Sequence, residues 1–206
     1  MKVVLFHTPK GGSGKTTLSR ECAVALSMAG HRVALADLDP QRSLSSWYGR
    51  REAPEPVLIA APGGKPDMAV AEAAGIDWLV VDTPPGAQPS LAGLIARADA
   101  VLVPVRPSPD DLLAAAPIAA NLARHPAWAF VVAQAVPRSR LVHGAARQLA
   151  GLGRVAPPTI HARLDYPTAG ISGQAAAEFA NTKASEEIME LVAYLLTLAG
   201  MNHGST

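Results

Sequence analysis

The chain has little of what would make it secreted, membrane-spanning or cluster-bearing. It carries one cysteine, Cys22, so no disulfide can close within it and no cysteine-based metal site can form within one subunit. A reducing compartment is therefore expected, with Cys22 acting as a small buried hydrophobe inside a helix. No stretch reaches the ~18 uninterrupted apolar residues of a membrane span. The apolar run that opens the chain stops at His7, with no small-residue cleavage site after it, so no signal peptide is expected. A soluble, cytoplasmic protein is the expectation. Aromatic residues make up only 4% of a chain that is 49% hydrophobic, so the core must be aliphatic and rich in alanine. There is no internal repeat, no low-complexity segment and no linker long enough to divide the chain.

Charge of one sign is missing locally. The totals nearly cancel, 18 Lys and Arg against 17 Asp and Glu. Yet Leu112 to Leu164 contains no acid, while Arg124, Arg138, Arg140, Arg147, Arg154 and Arg163 all fall there. A positive face able to touch phosphates without reading bases is expected, with Arg138, Arg140, Arg147 and Arg163 as candidates for DNA contact. Arg140 and Arg147 lie one heptad apart and share a face if a helix begins there.

What is present is an alternation. Continuous β-branched and apolar runs at 3–7, 32–37, 57–61, 78–82, 100–105 and 129–136 read as strands. Stretches of helical period at 16–29, 90–96, 110–124, 141–152 and 175–198 read as helices. Gly30 should close the first helix, and Ser90 or Asp110 could cap later ones. Strands apolar on both faces belong to a sheet covered on both sides, which predicts an α/β, doubly wound, mostly parallel sheet flanked by helices. One domain over residues 1–200 is expected, with residues 201–206 as a disordered tail.

Between the first strand and first helix lies Pro9-Lys10-Gly11-Gly12-Ser13-Gly14-Lys15-Thr16-Thr17. Gly14-Lys15-Thr16 supplies the second half of a phosphate loop, in the strand–loop–helix context the motif requires. Backbone N–H groups of such a loop turn inward on phosphate oxygens, and glycine permits the close approach. Lys15 can reach the β and γ phosphates, the Thr16 hydroxyl can ligate Mg²⁺, and Thr17 can touch the α phosphate. Two further strands end in carboxylates: Asp37-Leu38-Asp39-Pro40-Gln41, and Trp78 to Asp82 followed by Thr83-Pro84-Pro85-Gly86. Ligands of open parallel sheets sit at the carboxyl ends of strands, which places Asp39 beside the loop. Asp82 would hold a Mg²⁺-bound water or bond to Thr16, and residues 84–88 would form a switch-like loop that senses the γ phosphate. No guanine-reading Asn-Lys-x-Asp segment is visible, which favours ATP over GTP.

Pro9 stands where the first glycine of the motif belongs, and Lys10 follows it. The string Lys10 to Thr17 resembles the deviant Walker A motif of the ParA/MinD ATPases, and Asp37 to Gln41 resembles the second signature of that family. The resemblance implies a P-loop ATPase of the deviant Walker A type. Its nucleotide, ATP or ADP with Mg²⁺, would lie on Gly11, Gly12, Ser13, Gly14, Lys15, Thr16 and Thr17. Thr16, Asp39 and Asp82 would serve the metal, and Asp39 would position or activate the attacking water. Lys10 would cross an ATP-bound homodimer to stabilise the partner's nucleotide, so that Lys10, Lys15 and Asp39 form the catalytic set. Arg106-Pro107-Ser108-Pro109-Asp110-Asp111 resembles the proline-rich loop over adenine in small plasmid-partition (ParF-like) members, which would make Pro107, Pro109 and Asp111 base contacts.

The family role implied is partition or positioning of a cargo, nucleoid-associated through non-specific DNA, with a ParB-like or adaptor protein stimulating hydrolysis. Membrane binding is not expected, because the last helix carries Glu186, Glu187 and Glu190 and anionic lipid repels an acidic face. Two alternatives share the fold: an ATP-dependent ligase or amidase, as in cobyrinate and dethiobiotin synthases, and a nucleotide-switch adaptor without DNA binding.

Overall fold

A computed structural model describes residues 1–86 and 89–201. Along the chain run β1 (Lys2–Phe6), α1 (Lys15–Met28), β2 (Val33–Asp37), α2 (Ser43–Tyr48), β3 (Val57–Ile59), α3 (Met68–Ala73) and β4 (Trp78–Asp82). They are followed by α4 (Ala92–Arg97), β5 (Ala100–Val105), α5 (Pro109–Leu122), β6 (Trp128–Val132), α6 (Leu141–Ala150), α7 (Asp165–Ile171) and α8 (Lys183–Met201). The expectations for Gln88 and for residues 202–206 lie outside the described residues.

The strands form one sheet in the order β3-β2-β4-β1-β5-β6, and every pair is parallel. Successive side chains of a strand point to opposite faces. Val4 and Phe6 therefore enter the core beneath α1, α2, α7 and α8, while Val3 and Leu5 enter the core beneath α3, α5 and α6. Both faces are covered, which is why the strands read as unbroken apolar runs. Cys22 is fully buried in the first of these cores, and burial holds its thiol far above the usual range. The chain leaves β1 toward β2 on one side and later returns through β4 to β5 on the other. The reversal point is the carboxyl end of β1, where an open sheet of this kind leaves a crevice.

The structure differs from the sequence reading at several elements. The short helices α2, α3 and α7 are not marked in the sequence, although α4, equally short, is. The helix expected over 175–198 is broken: Ala176–Glu178 makes a 3-10 turn, and α8 starts only at Lys183. Asn181 sits at φ 59, a left-handed conformation that interrupts a helix, and the Thr182 hydroxyl accepts from Ser185 N at 3.1 Å to cap the new start. Gly30 closes α1 at φ 91 as expected. Ser108, not Asp110, caps α5, and α4 starts after Leu91, not at Ser90.

Candidate functional site

The loop between β1 and α1 owes its shape to its glycines. Gly12 and Gly14 take φ 68 and 99, values that side chains with a Cβ rarely adopt. Gly14 also precedes α1 without any side-chain cap, so the first-turn amides of Lys15, Thr16 and Thr17 lack both an intrahelical acceptor and a capping side chain. Such a helix start, with its partial positive charge, suits an anion. Lys15 is buried, and its Nζ donates to the Lys10 carbonyl at 3.1 Å. Burial lowers the affinity of Lys15 for its proton, opposed by the charges of Asp82 and Asp39. Both carboxylates therefore lie within electrostatic reach of the loop lysine.

Sheet register does the rest. Asp37 and Asp82 are paired across β2 and β4, and Phe6 pairs with Asp82 across β1 and β4. Thr16 Oγ1 donates to Asp82 Oδ2 at 2.6 Å, joining residues 66 positions apart. Asp82 is fully buried and its Oδ1 has no hydrogen-bond partner. Burial pushes its carboxyl up to about 7, against the pull of the Thr16 bond. Oxygen donors alone, with one buried carboxylate oxygen unpartnered, suit a hard cation such as Mg²⁺, which usually binds one or two protein groups and takes its remaining ligands from phosphate and water. Among the described residues no group of three or more His, Cys, Asp or Glu could hold a metal by itself. The residues present fit a metal shared with a nucleotide.

Asp37 is a scaffold. Its Oδ2 accepts from Ser45 N at 2.8 Å and Ser45 Oγ at 2.7 Å, and its Oδ1 accepts from Asp39 N at 3.1 Å. Asp39 is half-exposed, with Oδ1 held by Gln41 N at 2.9 Å. Leu38 N donates to Asp82 O at 3.0 Å, which keeps the Asp39 turn against the end of β4. Thr83 Oγ1 donates to Phe6 O at 2.8 Å and lies 3.3 Å from His7 Nδ1; burial and the nearby Lys15 charge lower the pKa of His7. Gly86 N donates to Pro9 O at 2.7 Å, tying the segment after β4 to the phosphate loop. Sequence reasoning missed Thr83 and His7, which carry no pattern of their own.

The residues expected against the base and a cavity beside the phosphate loop lie apart. A cavity of about 290 Å³ opens behind Gly14, Thr17 and Leu18 and is walled by Gln134, Ile160, Arg163, Leu164 and Tyr166. Pro107, Pro109 and Asp111 do not line it. Pro109 begins α5, and Asp111 is buried, accepting from Arg106 and Ser108. Those bonds fold the loop after β5 onto its own helix. Gln134, at φ 52 beyond β6, donates from Nε2 to Gly12 O at 3.0 Å and joins the cavity wall to the loop; no sequence pattern marked it. A larger apolar cavity of about 820 Å³ lies between α4 and α5, outside the phosphate loop except where Pro9 and Gly86 border it.

The arginines divide. Arg138, Arg140 and Arg147 are exposed, the last two at the two ends of α6. Arg163 is not a free surface cation: its Nε donates to Glu187 Oε1 at 3.0 Å, and its Nη2 donates to the same oxygen. Glu187 also accepts from His161 N at 3.0 Å, so it points inward from α8 and is not part of an acidic outer face. Glu186 and Glu190 are exposed as expected. No helix among the described residues is long and apolar enough to cross a membrane.

A parallel sheet that reverses at β1, a glycine loop opening a helix there, and a Thr–Asp pair beside the loop lysine define a P-loop nucleotide-binding protein. A family model described as the CobQ/CobB/MinD/ParA nucleotide binding domain matches residues 4–201, and the chain belongs to that family. It is 38% identical over 110 residues to a maintenance of carboxysome distribution protein A from Halothiobacillus neapolitanus, covering 51% of this chain and 50% of that protein. Over 59 residues it is 49% identical to a probable plasmid-partitioning protein ParA from Thermus thermophilus, covering 28% of this chain and 18% of that one. The chain thus spans half or less of the length of these two curated relatives. Among solved structures it resembles a chain of the MinC:MinD cell division protein complex of Aquifex aeolicus, with TM-score 0.75, 19% identity and 96% of each chain covered. The Mg-ADP complex of MinD from Pyrococcus horikoshii gives TM-score 0.72 at 16% identity, covering 98% of this chain and 99% of that one. At such identities the likeness speaks to the fold alone.

Proposed function

We propose that this chain binds ATP with Mg²⁺ on Gly11 to Thr17 and hydrolyses it, as a deviant Walker A ATPase whose residues 1–200 form one domain. The Thr16–Asp82 hydrogen bond carries the reading, because it sets a hydroxyl and a buried carboxylate beside Lys15 and the open start of α1. Thr16 and Asp82 would hold the metal, with Asp39 near it, and the ion would supply positive charge to offset the negative charge on the transferring phosphoryl oxygens. Lys15 binds the β and γ phosphates, and the first-turn amides of α1 receive phosphate oxygens, that of Thr17 at the α phosphate. Asp39, fixed by the Gln41 N–H, orients a water for attack on the γ phosphorus. The water oxygen bonds to phosphorus, the bond to the β-phosphate oxygen breaks, and ADP and phosphate leave.

Lys10 acts across a homodimer that closes over two nucleotides, much as an arginine finger does. The dimer holds DNA without reading sequence, through Arg138, Arg140 and Arg147, and positions a cargo. A ParB-like or adaptor protein stimulates hydrolysis and release. The names of the curated relatives, for plasmid partitioning and carboxysome distribution, support the positioning role.

ATP turnover and nucleotide-dependent size test this. Lys15→Ala should lower phosphate release at least tenfold, and undiminished release would sink the mechanism. Asp39→Ala with ATP should elute as a lasting dimer; a persistent monomer would count against the sandwich.

A further inference from the structure

Lys10 has a carboxylate of its own chain within reach. Asp111 lies in the first turn of α5 and is 4% exposed. Its Oδ1 accepts from Arg106 Nε at 3.2 Å; its Oδ2 accepts from Arg106 Nη2 at 3.1 Å and from the Ser108 hydroxyl. Lys10 Nζ stands 3.9 Å from the same Oδ2, on a side chain about one third exposed. The Lys10 backbone is anchored: its carbonyl accepts from Ser13 Oγ at 3.3 Å and from Lys15 Nζ at 3.1 Å. Only the side chain is left to swing. Arg106 and Ser108 already satisfy the buried carboxylate, so Lys10 can leave without stranding an unpaired buried charge. The contact is of the kind that can be released.

We infer that Asp111 is a positioning residue that holds Lys10 within its own subunit and so sets the threshold for nucleotide-dependent dimerisation. This rests on the sandwich role proposed for Lys10. The lysine partitions between two acceptors, Asp111 of its own chain and the phosphates on the opposite copy. The fraction held on Asp111 is unavailable to the dimer, and apparent affinity falls by that fraction. At 3.9 Å, with its lysine about one third exposed and its carboxylate already held by Arg106 and Ser108, the pair has a modest effect, so the shift is small and measurable.

The test is sedimentation of the full chain with AMPPNP, which separates dimerisation from hydrolysis. Asp111→Asn keeps the shape, removes the charge and leaves one acceptor oxygen for Arg106 and Ser108; it should lower the protein concentration at half-dimerisation about two- to fivefold. In a Lys10→Ala background the same substitution should shift nothing, which a merely structural role could not achieve. Arg106→Gln gives the opposite sign: with its stronger competitor gone, Asp111 holds Lys10 more tightly and the midpoint rises by a similar factor. Equal shifts with and without Lys10, or Arg106→Gln moving the midpoint downward, overturn the inference while leaving the sandwich standing. If Lys10→Ala alone leaves dimerisation unchanged, the sandwich reading itself fails and this one goes with it. Should Asp111→Asn not fold, the Arg106→Gln arm, on a side chain about one third exposed, decides.

Discussion

At the residue scale, the site depends on a few polar groups whose partners are far away in the chain. Asp82 shows the cost of removing one. Its Oδ2 has the Thr16 hydroxyl and its Oδ1 has no partner. Thr16→Val keeps the volume and deletes the donor, leaving the carboxyl wholly unpaired in a buried place. Chemical denaturation should report a loss of roughly 1–3 kcal/mol, and phosphate release should fall together with it. An unchanged denaturation midpoint would mean that the Thr16 bond adds nothing to the fold. Lys15, Thr16 and Asp82 were legible in the sequence because each lies in a short local pattern. The roles of Asp37 and Asp111 were only partly legible. Their oxygens are taken by Ser45, Arg106 and Ser108, and which donors reach a carboxylate depends on how a loop folds onto the next helix.

At the element scale, α1 is bound to the far end of the chain by a buried acid. Glu21 is fully buried, accepts from Arg20 Nε at 3.3 Å and from Ala177 N at 3.2 Å, and burial pushes its carboxyl up to about 7. The folded protein thus holds this proton more tightly than the unfolded chain, where the group titrates near 4.5. Stability is complete below about pH 4.5 as far as this group is concerned. It falls as pH rises toward 7 and levels off above, by up to roughly 3 kcal/mol. Glu21→Gln should reduce the fall in melting temperature between pH 5 and 8 by about half, the rest coming from Asp82, whose buried carboxyl is also raised to about 7; a variant that keeps the full slope would assign it to other groups. Nothing in the local sequence marked Glu21, since a glutamate inside a helix reads as an exposed one. The short helices α2, α3 and α7 were invisible for a related reason: their positions come from packing and from caps such as Asp67, whose Oδ1 accepts from Val70 N at 3.1 Å.

At the scale of the whole molecule, the question is which surface carries the charge. The acid-free stretch from Leu112 to Leu164 holds Arg138, Arg140 and Arg147 in the open, whereas Arg163 is turned onto Glu187. The proposed DNA contact therefore narrows to three arginines. A gel shift on random duplex with ATP should weaken steeply with salt, and replacing all three by alanine should reduce the salt slope by about three phosphate contacts' worth. Arg163→Ala should destabilise the packing of α8 without a comparable change in that slope. Binding that ignores nucleotide, or none under any condition, would favour the adaptor or the ligase alternative.

The sequence by itself determined the parallel sheet, the phosphate loop and the carboxylate at the end of β4. Each depends on residues close in the chain: an apolar run long enough to be covered on both faces, glycines where φ must be positive, a helix that starts beside them. Tertiary structure alone decided which of these groups meet. It brought Thr16 to Asp82 across 66 positions, set Lys10 beside Asp111, opened the cavity behind Thr17 and withdrew Arg163 onto α8. The physical reason is the range of the forces. Backbone conformation and hydrophobic period are local properties of a sequence, whereas a hydrogen bond or ion pair between distant residues forms only after sheet register and helix packing have placed its two ends.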